Sequence, residues 1–566
     1  MAKKKRPPAR SANRPTARSK DRPQNLGPFG MLIQENPDLA KWANEIRRND
    51  TNQSPAQPNS PFAAAEHSRP IAPPQPRATP KRAPQPRPPQ RTPKCTTEVP
   101  RESTDRSKKP LRLVTGQAAV DAVTKSLANV RFAIEEAASL DGTDKILACI
   151  ARGSKLFREQ TCPDPDGYNV GFDFGSSSSK IIFHQPYRGD GRDTFPLSVP
   201  EGLRATGDPF CWQTAVWYAP DTQRFSLTPK PGAIKLTGFK SAIVLKQGHH
   251  MADPGGKAIN VTFLDAAIAY LALMLAYTAG NYEENRYFGF QSPPRYRAFF
   301  LGHPKALGVT TGFEDQFAAA FHAAFSLVQD ADRLRLDDIK AARELALQQK
   351  GFPNDKEESA YYARTELEGL IAGYAATKDA REGAHLVIDV GATTLDLAFV
   401  RFVNEDGARH GIIYSTAVET LGSQAYEWFK ALEPNADDQL FRAAVTHVLT
   451  IADVAARDCD RAFNRTLAQG EPVPRILCGG GIHCPTHRTL FTYKGADKHW
   501  ASPARMPIPT LSIETTESYD PGRLLVAWGL ARDFADFPTL RLATAEDRLA
   551  RPRGHYTDAF VGTEQT

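Results

Sequence analysis

Cysteine is scarce and poorly placed for cross-linking: seven residues in 566, at 95, 149, 162, 211, 459, 478 and 484, with no C-x-x-C pair. An odd count without that spacing argues against a disulfide scaffold or a zinc ribbon, and for reduced thiols in a cytoplasmic protein. No apolar core follows the lysines of the first residues, so no signal peptide is expected. Long hydrophobic runs are missing too. The longest, FLDAAIAYLALMLAYTAG at 263–280, carries Asp265 and regularly spaced small residues, and is expected to be a buried helix rather than a membrane span.

The first 112 residues have few large apolar side chains. They hold 21 of the 45 prolines and 24 Lys+Arg against 9 Asp+Glu, a local charge of +15, which leaves 47 basic and 55 acidic side chains for the rest. Such a segment cannot bury enough surface to offset the entropy of ordering it, so a disordered basic tail is expected over 1–112. Its charge suits nucleic acid, an acidic membrane surface or an acidic protein, or merely keeps the tail solvated. One island interrupts it. Asn36 can cap a short helix near 36–48 that Pro37 starts, with Leu39, Trp42 and Ile46 on one face, a pattern that docks in a partner's groove.

Residues 113–162 read as two helices separated by DGT, a helical hairpin that packs on the downstream body of the chain or on a protein partner. From about 167 to 533 strand-like and helix-like segments alternate, the pattern of an α/β body, and a polar C-terminal tail is expected over 536–566.

Within that body the chain builds one device twice. VGFDFGSSSSK at 170–180 and HLVIDVGATTLDLAFV at 385–400 each run an apolar strand into Asp-hydrophobe-Gly, then small residues rich in hydroxyls, then a second strand. Asp173, Gly175, Ser176, Ser177 and Ser178 correspond to Asp389, Gly391, Ala392, Thr393 and Thr394. A tight turn of this composition gathers backbone N–H donors and hydroxyls into a concavity that binds phosphate. An aspartate ending a buried strand is unfavourable there unless positive charge is near; a hydrated magnesium, held by one or two carboxylates plus substrate phosphates, supplies it. A third element, RILCGGGIHCP at 475–485, ends a strand in Gly479, Gly480 and Gly481, where backbone can approach a flat ligand closely.

The ordered set DFGSSSSK, DVGATTLD and LCGGGIHCP resembles the phosphate-1, phosphate-2 and adenosine motifs of the actin, sugar-kinase and heat-shock-70 ATPase superfamily, and is most similar to the DnaK-type nucleotide-binding domain. ETLGSQAYEWF at 419–429 and YDPGRLLVAWGLA at 519–531 resemble that group's later loop and last connecting helix, so the likeness spans about 167–533. The resemblance implies two ribonuclease-H-like lobes, 163–380 and 381–535, closing over ATP or ADP with Mg2+. It implies that Asp173 and Asp389 hold magnesium through water, that the residues of both turns contact phosphate, that Lys180 reaches the phosphates as in actins, and that Asp396 orients metal-bound water. In the matching segment ELEGLIAGYAA, Glu368 is the choice for positioning the attacking water, with Glu366 as the alternative. Lys240 in LTGFKSAIV matches the chaperones' catalytic lysine, or else is a solvated surface charge.

Departures from the pattern are informative. His483 stands where the chaperones carry arginine. The 90 residues from Asp389 to Gly479 are expected to trim the outer part of the second lobe, and NYEENRYFGFQSPPRYRAFF at 281–300 to enlarge the first. No room is read after Pro538 for a peptide-gripping β-sandwich. The expected activity is therefore ATP hydrolysis by a DnaK-type switch acting on a protein partner. A filament-forming actin relative, a small-molecule kinase of the same fold and a non-hydrolysing scaffold are the alternatives, and oligomeric state is left open.

Overall fold

Buried strands flank both Asp-x-Gly turns, and a sheet is assembled around each pair. The computed structural model describes residues 116–547 apart from short breaks, the longer ones at 137–141, 187–193, 253–256, 287–294, 308–311, 353–358, 464–472 and 493–508. The basic tail, its short helix near 36–48 and residues 548–566 lie outside the described residues.

In the first sheet, β1 (Tyr168–Asp173), β2 (Ser178–His184) and β3 (Thr194–Pro196) form an antiparallel meander. Beside β1, β4 (Tyr296–His303) pairs parallel, and β5 (Tyr361–Thr365) pairs parallel with β4. The second sheet repeats this plan. β6 (Gly383–Val390), β7 (Leu395–Glu405) and β8 (Ala408–Glu419) form an antiparallel meander, with β9 (Arg475–Cys478) parallel beside β6 and β10 (Thr539–Leu542) parallel beside β8.

Side chains alternate across a strand, so each sheet can feed two cores. Val170 and Phe172 of β1 and Ile181 and Phe183 of β2 enter one outer core, whereas Ile182 points the other way. Likewise Leu386, Ile388 and Val390 of β6 enter a second outer core while Val387 faces inward. Ile182, Phe300, Val387, Val400 and Ile476 thus meet in a shared inner core. Two helices, α5 (Glu366–Ala375) and α6 (Leu525–Leu530), fill that core. They cross backbone to backbone: a Cβ on Gly529 would fall 1.8 Å from the carbonyl oxygen of Gly369, so only glycine permits this approach.

The apolar stretch at 263–280 lies in a helix, α4 (Phe263–Arg286), between α3 (Phe239–Val244) and β4 in the chain. By length and composition Phe263–Glu284 is able to cross a membrane, yet 94% of its apolar window is buried inside the protein. The six described cysteines are free thiols.

Three segments differ from their sequence reading. The expected hairpin is not one: α1 (Gln117–Leu127) ends well before DGT, and its Ala119, Val120, Val123 and Leu127 join the second outer core. The chain then becomes extended, and Glu135–Glu136 pairs with Ile234–Lys235, before α2 (Thr143–Glu159) packs Ile146, Ile150 and Phe157 into the first outer core. Each apolar stripe has found a sheet's core instead of the other helix, tertiary burial overriding local pairing. Phe132, on the linker, touches Phe263 and Trp428 edge to face. Part of the expected C-terminal tail becomes β10, pairing with His410–Ile413. Within the expected insertion at 281–300, residues from Tyr296 onward start β4, the strand next to β1.

Candidate functional site

Register places the acidic residues. β1 and β2 pair Asp173 with Lys180, and the lysine Nζ donates to Asp173 Oδ2 at 2.9 Å. At the turn, Phe174 is buried against Phe172, Phe239, Tyr270 and Phe317, which anchors the loop from below. Gly175, Ser176 and Ser177 are left facing a cleft. β6 and β7 pair Asp389 with Asp396, and their turn closes with Gly391 N donating to Thr394 O at 2.9 Å. The third wall is Gly479–Gly481. Gly479 has φ +82°, and a Cβ there would fall 1.9 Å from Asp389 Oδ1.

These three turns line one cleft of about 770 Å³, within the range of small-molecule sites. Asp173, Gly175, Ser176, Ser177, Ser178 and Lys180 come from the first hairpin; Asp389, Gly391, Ala392 and Thr394 from the second; Gly479, Gly480 and Gly481 from the third element. Lys240 and Glu366 also line it.

Some expected residues take other roles. Thr393 is fully buried and its hydroxyl meets Ser241 Oγ on α3 at 2.6 Å, away from the cleft wall. Asp396 is buried beside Asp389 and does not line the cleft. Glu368 is used as a helix cap: its Oε2 accepts from Thr365 N at 2.7 Å while its own N donates to Thr365 Oγ1 at 3.0 Å, a reciprocal capping box. The α5 residue that enters the cleft is Glu366, two positions earlier. Lys240 is no solvated surface charge; it is buried on α3 and its ammonium pairs with Glu366.

Four carboxylates, those of Asp173, Glu366, Asp389 and Asp396, are thus gathered against two lysines. Burial pushes the Asp389 carboxyl up to about 7, and the Asp173 charge adds to the shift while Lys180 opposes it. Burial, then Glu366 and Asp389, drive Asp396 far above the usual carboxylate range. Glu366 is raised by burial, against the pull of Lys240. For Lys180, burial works against the ammonium, but the attraction of Asp173 prevails and its pKa is raised. One oxygen of Asp389 and one of Asp396 are buried without a hydrogen-bond partner. With all four acids ionised the cluster would hold more negative than positive charge in a poorly solvated place, which keeps protons on some of them, and a cation would relieve it.

No protein-family model matches the chain, and no curated protein matches it.

Sequence reasoning misses the rim beside the glycine turn. Thr206, Asp208, Asp520 and Arg523 line the same cleft. His483 Nε2 meets Asp520 Oδ2 at 2.9 Å, and Asp520 caps the turn Pro521–Leu524 by accepting from Gly522 N at 3.1 Å. The signal was present: Asp-Pro-Gly at 520–522 is a capped turn that opens an apolar helix, which fixes the next residue, Arg523, at a helix entrance.

Proposed function

We propose that this chain is a magnesium-dependent ATPase of the two-lobed, actin-like class, nearest to the DnaK-type nucleotide-binding domain, and that it serves as a switch for a protein partner. The observation that carries the reading is the convergence of two Asp-x-Gly turns, 216 residues apart in sequence, with a triple-glycine turn on one cleft. The matching plan of the two sheets, each a three-stranded meander with a parallel neighbour beside its first strand, supports a pair of ribonuclease-H-like lobes with α5 and α6 between them.

The cleft's chemistry suits hydrated magnesium. Among the described residues no group of three or more His, Cys, Asp or Glu is arranged to hold an ion alone. Asp173 and Asp389 supply two carboxylates, one with a partnerless oxygen, and water and phosphate would complete the shell. Magnesium, when bound, would neutralise phosphate charge and polarise the bond to the terminal phosphoryl group.

Each wall then has a task. The turn at Gly175–Ser177, with Ala392 and Thr394 from the second hairpin, receives phosphate oxygens, and Lys180, two residues along β2 from Ser178, adds positive charge beside them. Glu366, steadied by the Lys240 ammonium, orients the attacking water. Its raised pKa suits a group that shares a proton with that water. Gly479–Gly481 leaves room for the nucleoside. Phosphoryl transfer to water needs positioning and charge neutralisation and no protein nucleophile, and these residues supply both. The α1–α2 segment, which reaches both outer cores, and the basic tail would pass the state of the cleft to the partner.

Phosphate release from Mg-ATP by wild type and by Asp173→Asn tests the proposal. A fall of about two orders of magnitude in the variant is expected; equal rates would remove the enzymatic claim.

A further inference from the structure

Arg523 stands in the turn Pro521–Leu524 that leads into α6. Its guanidinium donates from Nη1 to Thr206 Oγ1 at 2.8 Å and from Nη2 to Ser178 Oγ at 3.0 Å. Both acceptors are neutral hydroxyls. Asp208 Oδ2 lies 3.9 Å from Nη1, an ion pair too long for a hydrogen bond. The remaining donor, Nε, is buried without an acceptor, and it lies beside the glycine turn, since a Cβ on Gly480 would come within 3.2 Å of it. Buried charged donors without an acceptor are rare and unfavourable. Ser178 is two residues from Lys180, so the period of a strand puts both on one face of β2. Arg523 and Lys180 are close enough to repel one another. A second cation has thus been brought beside the first, with its buried Nε–H left without an acceptor, on the cleft wall that carries the Gly175–Ser177 turn.

We propose that Arg523 and Lys180 form a two-cation seat for the phosphate chain of a nucleoside diphosphate or triphosphate, with the Nε–H of Arg523 donating to a phosphate oxygen. This rests on the reading of the cleft as a nucleotide site and adds to it the residue that makes diphosphate binding tight. An anion between the two cations removes their repulsion and gives the orphaned donor its acceptor. Guanidinium suits this place better than ammonium, because its planar fork can hold Ser178 and Thr206 and still present a third N–H.

The test is competitive displacement of a fluorescent ADP analogue from the full chain by ATP, ADP and adenosine, for wild type, Arg523→Lys and Arg523→Gln. Melting temperature is recorded for each to confirm folding. Lysine keeps the charge but not the fork, so Arg523→Lys should weaken ADP and ATP by about tenfold and Arg523→Gln by up to about a hundredfold. Adenosine should change by less than twofold in both. Equal weakening of adenosine and ADP would assign Arg523 a purely structural role and overturn the inference, as would unchanged ADP affinity in a folded Arg523→Gln. If wild type binds none of the three ligands, the nucleotide reading itself falls, and this inference with it. A Gln variant that fails to fold leaves the decision to Arg523→Lys, whose ADP-to-adenosine ratio is read in the same way.

Discussion

Replacing Gly479 by alanine should do far more damage than the same change one residue later. Gly479 has φ +82° and ψ 151°, a region that side chains avoid and that costs on the order of 1–3 kcal/mol for a non-glycine residue. Its Cβ would also fall 1.9 Å from Asp389 Oδ1 and 2.5 Å from the carbonyl oxygen of Val390. The second obstacle is backbone at the end of β6 and cannot swing aside, so the strand end and the glycine turn must separate. Overpacking of this kind adds roughly 1–3 kcal/mol, for a total of about 2–6 kcal/mol. At Gly480 the atoms nearest the added Cβ would be those of the Arg523 guanidinium, with Nε at 3.2 Å, the end of a long side chain, and the loss should stay below about 1 kcal/mol. Urea denaturation followed by tryptophan fluorescence, with Gly479→Ala and Gly480→Ala side by side, reads the difference. Equal midpoints for the two variants would refute the reasoning.

Lys240→Met leaves Glu366 buried and without its partner, so it should destabilise by about 3–5 kcal/mol, whereas the double variant Lys240→Met with Glu366→Gln should recover most of that loss in the same denaturation assay. Glu368→Ala should lower stability by about 0.5–2 kcal/mol through the lost capping box and leave the cleft's chemistry intact, while Glu366→Gln should cut phosphate release; steady-state kinetics beside melting curves separate the two acids. The Asp389 carboxyl is raised to about 7, above its value of about 3.9 in an unfolded chain. Its contribution to stability is therefore full below about 4 and is lost as pH rises to about 7. Thermal melts of the free protein across pH 4–8 should show a decline over that window that is shallower in Asp389→Asn, the remainder coming from the raised carboxyls of Asp396 and Glu366, and a wild type matching the variant would contradict the assignment.

Both hairpin turns and the triple glycine could be read in the sequence because their signals are local: Asp-x-Gly between two apolar strands, then small hydroxylated residues, and a strand ending in Gly479. Those short patterns determine the backbone whatever surrounds them. What could not be read depends on contacts between distant segments. Choosing Glu366 over Glu368 needs the capping box with Thr365, which turns one acid back onto the helix start and leaves the other facing Lys240, 126 residues earlier. The amphipathic faces of α1 and α2 were visible, but their partners were not; each could equally have packed on the other, and the apolar surface of the two sheets decided. Thr393 looked like its neighbours in composition, and only the packing of α3 shows that its hydroxyl is spent on Ser241. Arg523 lay at a recognisable turn, yet its meeting with Ser178 joins residues 345 positions apart.

The most direct measurement is isothermal titration of the full chain with a slowly hydrolysed ATP analogue, with and without magnesium, for wild type, Asp173→Asn and Asp389→Asn. If the two carboxylates face a shared metal–triphosphate, wild type should bind one equivalent, lose most of that affinity when magnesium is withheld, and lose it again in either variant. Binding that ignores magnesium and both substitutions, or no heat at all in wild type, would contradict it.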